Sequence, residues 1–405
     1  MLPELYRKAI SPHLSESQAI TLELLILLIQ SHREITLGKL AALFPQPIKY
    51  SSRVRNLQRF LGLSTISVRL LWFPILKYWL RREYQGHHLN HQQRRWRKRL
   101  KKKLKGYVVI AIDRTQWKGR NLLMTTIVWG NHALPVYWEI MGKEGSSSLA
   151  LQKRLLKTTL KLFQSYPVLV LGDREFHSPK LATMIDQWGF DFVLRLKKDA
   201  HIQLPDSTTY TPLSGMGFSS GTRDFFPNIC IGKEAQLGPF NLAFRWKRPY
   251  RGKGGKDAWF LLTNLPSLAL ALHFYRCRWG IETMFKDFKS GGYHLESSQV
   301  NDARFLALLL LLVLAYSLAT SLGHFFSHSG VDDYLARLSE HRRCFPRHSH
   351  FKVGLYGYLW HCALLSWQPL ASRLMACKPH KRLFFQRGLA ALSLIQSSLH
   401  HPCHP

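Results

Sequence analysis

Between His273 and Lys289 the chain carries Tyr275, Arg278, Glu282 and Lys289, separated by two, three and six residues. On a single α-helix those steps place all four side chains on one face. That face would hold an aromatic ring, a forked cation, a carboxylate and a point cation. The carboxylate suits a hard divalent cation such as Mg²⁺, and Arg278 and Lys289 suit phosphates. The competing reading is a solvated helix face with an i,i+4 pair, Arg278–Glu282, of little energetic weight. Two further carboxylates upstream favour the chemical reading.

Each of those two acids ends a buried strand. Tyr107-Val-Val-Ile-Ala-Ile-Asp113 is one and Pro167-Val-Leu-Val-Leu-Gly-Asp173 the other. Strands over Asn121 to Trp129 and Ala133 to Met141 follow the first at hairpin spacing. Helices over Leu149 to Ser165 and Pro179 to Trp188 flank the second, and a fifth strand runs from Asp191 to Leu196. The order βββαβαβ predicts a mixed sheet with helices on its faces. In such a sheet the first and fourth strands lie side by side and parallel, which brings Asp113 and Asp173 together. Two such acids are costly unless a cation joins them, although each alone could simply cap a turn. Three carboxylates from two strands and a helix can hold two Mg²⁺ ions about 4 Å apart, with Mn²⁺ able to substitute. That is the equipment for in-line phosphodiester displacement by water or a 3′-hydroxyl, with no protein nucleophile.

Composition fits such a substrate. The 405 residues carry a formal net charge of +33 with 46% hydrophobic residues, which points to a globular protein with a polyanionic partner, nucleic acid before a membrane surface. The six cysteines form no framework and read as reduced thiols of a cytosolic protein. A zinc site from Cys377, His380, His400, His401, Cys403 and His404 lacks the paired short spacings. The N-terminus has no signal-peptide pattern. The uncharged run from Phe305 to Gly323 just reaches membrane-spanning length but contains Tyr316, Ser317, Thr320 and Ser321, so a buried helix packed on a sheet is the preferred reading.

The remaining segments divide the chain. Residues 1–85 read as a helical DNA-binding domain, with helices over Thr21 to Ile29 and Thr36 to Phe44 and a third that Ser51 could cap. The third carries Arg53, Arg55 and Arg59, the shape of a helix-turn-helix, although small helical bundles look the same. Residues 86–106 form a basic linker whose run Arg94 to Lys105 suits phosphate contact. Residues 107–197 and 267–327 make the catalytic domain, interrupted at 198–266 by a β-rich, strongly basic insertion. Residues 328–405 are helical and basic.

The Tyr275-Arg278-Glu282-Lys289 spacing resembles the Y-R-E-K motif of insertion-sequence-4-type DDE transposases. The strand ends Ile-Asp113-Arg-Thr and Gly-Asp173-Arg-Glu-Phe, and the β-rich insertion before the glutamate, resemble that family too. The resemblance spans roughly 107–325. It implies a ribonuclease-H-like catalytic domain with Asp113, Asp173 and Glu282 as catalytic metal ligands. It implies a bacterial, nucleoid-associated enzyme that binds transposon ends, nicks them with Mg²⁺ and joins them to target double-stranded DNA, as a homodimer in the synaptic complex. Some members cut the second strand through a hairpin, with a flipped base on an insertion tryptophan. Trp259 resembles that residue's context and could equally be a core tryptophan at a strand start; Trp246, amid arginines, is a second stacking candidate. Tyr275 and Arg278 would then hold the flipped nucleotide's phosphate. His177 reads as a phosphate contact or, more simply, a local turn partner. The rival functions are a non-catalytic DNA-binding protein derived from a transposase and, more distantly, a membrane-surface protein.

Overall fold

The computed structural model describes residues 2–81, 84, 91–117, 119–142, 144–248, 258–289, 291–295, 298–337 and 347–400. The Gly252–Gly255 turn with Arg251, Lys253 and Lys256, and the tail residues His401, Cys403 and His404, lie outside them. The chain forms two compact units, one of residues 96–285 and one of residues 1–95 with 286–405.

The first unit is built on one mixed sheet. Its strands are β1 (Val108–Trp117), β2 (Arg120–Trp129), β3 (His132–Met141), β4 (Val168–Gly172), β5 (Asp191–Arg195), β6 (His201–Gln203), β7 (Thr211–Pro212), β8 (Arg223–Ile231), β9 (Leu237–Trp246) and β10 (Ala258–Thr263). Helices Leu149–Leu160 and Pro179–Gln187 precede β4 and β5, so the βββαβαβ order stands. The strands lie in the order β3-β2-β1-β4-β5-β10-β9-β8-β6-β7. β1 pairs antiparallel with β2 and parallel with β4, and β4 is parallel to β5. This is the ribonuclease-H-like arrangement that the resemblance implies. Val108 to Ile112 and Val168 to Leu171 are buried almost completely. Helix Leu149–Leu160 packs on β2 and β3, while Pro179–Gln187 and Leu268–Cys277 pack on β5 and β9.

The β-rich insertion extends this sheet: β10 pairs antiparallel with β5 and passes the ladder to β9 and β8. The edge that β5 would otherwise expose is thereby closed. In the basic segment before β1, helix His91–Leu104 buries Leu100 and Leu104, four residues apart, and exposes Lys98, Arg99, Lys101 and Lys102. Lys103 departs from the phosphate reading: its ammonium donates to the Gly130 carbonyl and to Asn131 Oδ1, both at 2.6 Å.

The second unit is helical. Glu16–His32 starts with a full capping box between Ser15 and Gln18. Helix Asp302–His328 is long and apolar enough to cross a membrane, yet 89% of its apolar stretch is buried. It packs on Glu16–His32 and His350–Ser366, with polar contacts inside: Ser317 meets the Tyr6 hydroxyl at 2.8 Å, and Gln30 donates to the Ala315 carbonyl. The partners are therefore helices, where the sequence suggested a sheet; this unit holds no strand among its described residues.

Asp287 is buried in the helical unit, and its Oδ2 finds no hydrogen-bond partner among the described residues. Burial pushes its carboxyl up to about 7, against the pull of Lys352 and Lys286. A raised carboxyl binds a proton in the folded state that the unfolded chain has already lost above about pH 4, so stability falls as pH rises from about 4 to about 7. Asp287→Asn should flatten that slope and raise stability at pH 8 by roughly 2 kcal/mol, read by denaturant unfolding at pH 5 and pH 8. An unchanged slope would show that Asp287 does not hold the proton.

Candidate active site

The parallel register of β1 and β4 ends at Ile112 and Gly172, so Asp113 and Asp173 come next on adjacent strands. Asp113 is not at a strand end, as the sequence suggested, because β1 continues to Trp117 along β2. β4 stops because Asp173 turns the chain: its side chain accepts from the Glu175 N–H at 2.9 Å and starts the short helical turn Arg174–Phe176. Gly172 permits that turn, since a Cβ there would lie 2.7 Å from Phe176 Cβ and 2.9 Å from Leu194. Asp173 is thus both a turn cap and a neighbour of Asp113.

Glu282 comes from helix Trp279–Phe288. The single helix expected from Tyr275 to Lys289 is in fact two, Leu268–Cys277 and Trp279–Phe288, with Arg278 at the joint. The Arg278 backbone keeps helical angles, φ −55° and ψ −31°. Its N–H bonds three residues back to Tyr275, and Ile281 bonds three back to Arg278, so one tightened turn replaces the regular ladder. Gly280 lets the second helix sit against the start of β3: a Cβ would be 3.1 Å from the His132 carbonyl. Lys289 follows the helix in a turn.

Arg278 links the acids. Its guanidinium donates to Asp113 Oδ2 at 3.0 Å and to Glu282 Oε1, with its side chain 14% exposed. Burial and the neighbouring Asp173 charge push the Asp113 carboxyl up to about 7; Arg278 and the Arg114 N–H oppose the rise and Glu282 adds to it. The donor types suit a hard divalent cation, and the mutual repulsion of the acids is what such an ion would relieve. Among the described residues, however, no three metal-capable side chains converge as a ready cage, and it is Arg278 that stands between Asp113 and Glu282.

Tyr275 is buried, its ring 5.9 Å beneath the Arg278 guanidinium. Trp259 is half-buried, meets Tyr275 edge-on at 5.0 Å and carries Arg245 and Lys247 over its ring at 5.9 and 5.8 Å. It is neither a core residue nor an open platform. Trp246 pairs with Ala258, and Trp259 with Arg245, so the two indoles point to opposite faces of the ladder. Trp246 lines a cleft of about 740 Å³ with Arg174, Lys198, Phe218 and Phe260. His177 is a turn partner, its Nδ1 donating to the Arg174 carbonyl at 2.8 Å. In the helical unit, Arg53 donates to the carbonyls of Ala41, Gln46 and Ile48. It therefore clamps the turn between helices Leu37–Leu43 and Tyr50–Phe60, whereas Arg55 and Arg59 are exposed.

Sequence reasoning passed over a supporting network. Glu175 accepts from Arg114 Nε at 2.8 Å and from both the N–H and hydroxyl of Ser147, and Arg114 also reaches Asn121. Arg114 and Glu175 each stand one or two residues beyond a site aspartate, so this bridge ties the two strand ends together. The indole of Trp279, next to Arg278, is exposed.

Carboxylates on adjacent parallel strands of a ribonuclease-H-like sheet, with a third on a helix and a basic surface, mark a nucleic-acid-processing enzyme. The profile of the transposase DDE domain matches residues 104–318, more than half of the chain, and the chain belongs to that family. Its activity is accordingly that of a transposase. No curated protein matches it. Among solved structures it is similar to the piggyBac transposase in a cryo-EM synaptic complex with hairpin DNA, at 12% identity and a TM-score of 0.43, over 97% of this chain and 81% of that one.

Burial raises the Glu175 carboxyl, but the Arg114 and Ser147 hydrogen bonds outweigh it and hold it below its ordinary value. A lowered carboxyl stabilises the fold above its unfolded pKa, and that contribution is lost as pH falls through the folded value. Glu175→Gln should cost about 1–2 kcal/mol at pH 7, with the gap from wild type closing below about pH 4. Equal unfolding midpoints at pH 7 would remove Glu175 from the role of strand-end tie.

Proposed function

We propose that the chain is a bacterial insertion-sequence transposase of the Y-R-E-K type, acting on transposon-end and target double-stranded DNA in the nucleoid. The observation that carries this reading is the gathering of Asp113, Asp173, Glu282 and Arg278 at one place from two strands and a helix. Asp113, Asp173 and Glu282 would hold divalent cations, Mg²⁺ or Mn²⁺, which supply an activated water or 3′-hydroxyl and stabilise the leaving oxygen. Arg278 and Lys289 contact the phosphates beside the scissile bond, with Tyr275 helping Arg278 to hold the flipped nucleotide's phosphate. Lys98, Arg99, Lys101 and Lys102 grip the backbone without reading sequence. Arg55 and Arg59 are the sequence-reading candidates of the N-terminal helices, with Arg53 holding their turn. Two chains act together, one at each transposon end.

The test is a nicking assay on duplex DNA bearing the element's own ends, with Mg²⁺ or EDTA. Asp113→Ala, Asp173→Ala and Glu282→Ala should each lower nicking by roughly a hundredfold or more while end binding in a gel-shift assay persists. Near-normal nicking by any one of them would break the triad. Tight end binding with no Mg²⁺-dependent nicking by the wild type would favour a non-catalytic DNA-binding protein.

A further inference from the structure

The Arg278 guanidinium makes the contacts that a cation at this site would make: it reaches Asp113 Oδ2 at 3.0 Å and also Glu282 Oε1, and its side chain is 14% exposed. From these contacts we propose that Arg278 is an internal counter-ion that competes with divalent cations for Asp113 and Glu282, and that a DNA phosphate releases the two acids by taking up the guanidinium. This rests on the proposed function and concerns how the same site is loaded.

The argument is one of charge and geometry. A guanidinium remains charged at any pH the protein meets, so it can be exchanged but not neutralised. Two fork nitrogens bridging two carboxylates form charge-assisted bonds, which are the strong ones. A divalent cation brought to the same oxygens would face a fixed positive charge at close range in a partly buried site, where repulsion is poorly screened. Arg278 must therefore withdraw, and it needs another anion to withdraw to. The other anion acting on it, Asp173, is the third acid of the same site and would keep the guanidinium among the carboxylates; Tyr275 lies beneath it as a neutral ring, and Arg195 is a further cation beside Tyr275. A phosphate suits the fork bidentately. Free protein thus keeps Asp113 and Glu282 paired to Arg278, and these two acids become available where DNA is in place.

The experiment measures Mn²⁺ binding to the full chain by the electron-paramagnetic-resonance signal of free Mn²⁺, without DNA. Arg278→Gln should bind Mn²⁺ at least about tenfold more tightly than wild type, with Arg278→Lys between them because a point charge bridges two carboxylates less well. The double variant Arg278→Gln/Glu282→Gln should lose the gain. An end duplex, corrected for Mn²⁺ bound by the duplex alone, should raise wild-type affinity and leave Glu282→Gln unmoved. Equal Mn²⁺ affinity of wild type and a folded Arg278→Gln, checked by circular dichroism, would overturn the proposal, as would a gain that survives in the double variant. If Arg278→Gln fails to fold, Arg278→Lys decides: no gain over wild type overturns the idea. Nicking by wild type and its loss in Asp113→Ala are read separately, so the transposase reading stands or falls independently of this result.

Discussion

Two carboxylates on neighbouring parallel strands repel one another, and burial strengthens the repulsion by removing the water that would screen it. That constraint governs the α/β unit. Asp113 and Asp173 sit side by side because the β1–β4 register ends one residue before each. Glu282 adds a third negative charge from the helix. Such a cluster persists only where cations and hydrogen-bond donors offset it, and here both are present. Arg278 spans Asp113 and Glu282, the Arg114 N–H serves Asp113, and the Glu175 N–H serves Asp173.

The offsets are supplied by residues tied to the fold itself. Arg114 and Glu175 bind each other across the two strands, and Ser147 fastens Glu175 from the loop before helix Leu149–Leu160. Each site aspartate therefore leans on a neighbour that is anchored to another element. On the opposite flank, Gly280 brings the Glu282 helix close to the start of β3. A shift of that helix would carry Glu282 and Arg278 together, since four residues separate them on the chain and an ion pair joins them.

Much of this was legible because the strands are buried on both faces. Continuous apolar runs such as Tyr107 to Ile112 and Pro167 to Leu171 mark them without help from alternation, and an acid directly after such a run stands out. The meander β1–β2–β3 follows from loop lengths alone. What the sequence hides is set by long-range pairing or fine geometry. The insertion could be seen as β-rich, but its closure of the β5 edge depends on partners more than 60 residues apart, such as Leu261 and Arg195. The break at Arg278 leaves no propensity signal, because its backbone angles remain helical and only the hydrogen-bond step changes. Arg53 looked like a DNA contact because its three carbonyl partners belong to a turn whose shape only the folded chain shows. The Arg114–Glu175–Ser147 bridge joins residues 28 and 61 positions apart, beyond any local window.

The two insertion tryptophans carry the last consequence. Trp246 and Trp259 lie on adjacent strands but on opposite faces of the β9–β10 ladder, so they cannot stack on the same base. Trp259 shares its face with Tyr275, the ring beneath Arg278, and its indole already lies under Arg245 and Lys247. A base could stack there only by displacing those two cations, and phosphates of the same strand are the anions able to draw them away. Trp246 instead faces a cleft with Phe218, Phe260, Arg174 and Lys198, an aromatic and cationic lining of the kind that suits bases and phosphates. Arg174, which lines this cleft, directly follows Asp173, while Trp246 lies on the other face of the β9–β10 ladder from Trp259. Any role in holding DNA near the acids must therefore be divided between the faces: Tyr275, Arg278 and Trp259 on one, Trp246 and its cleft on the other.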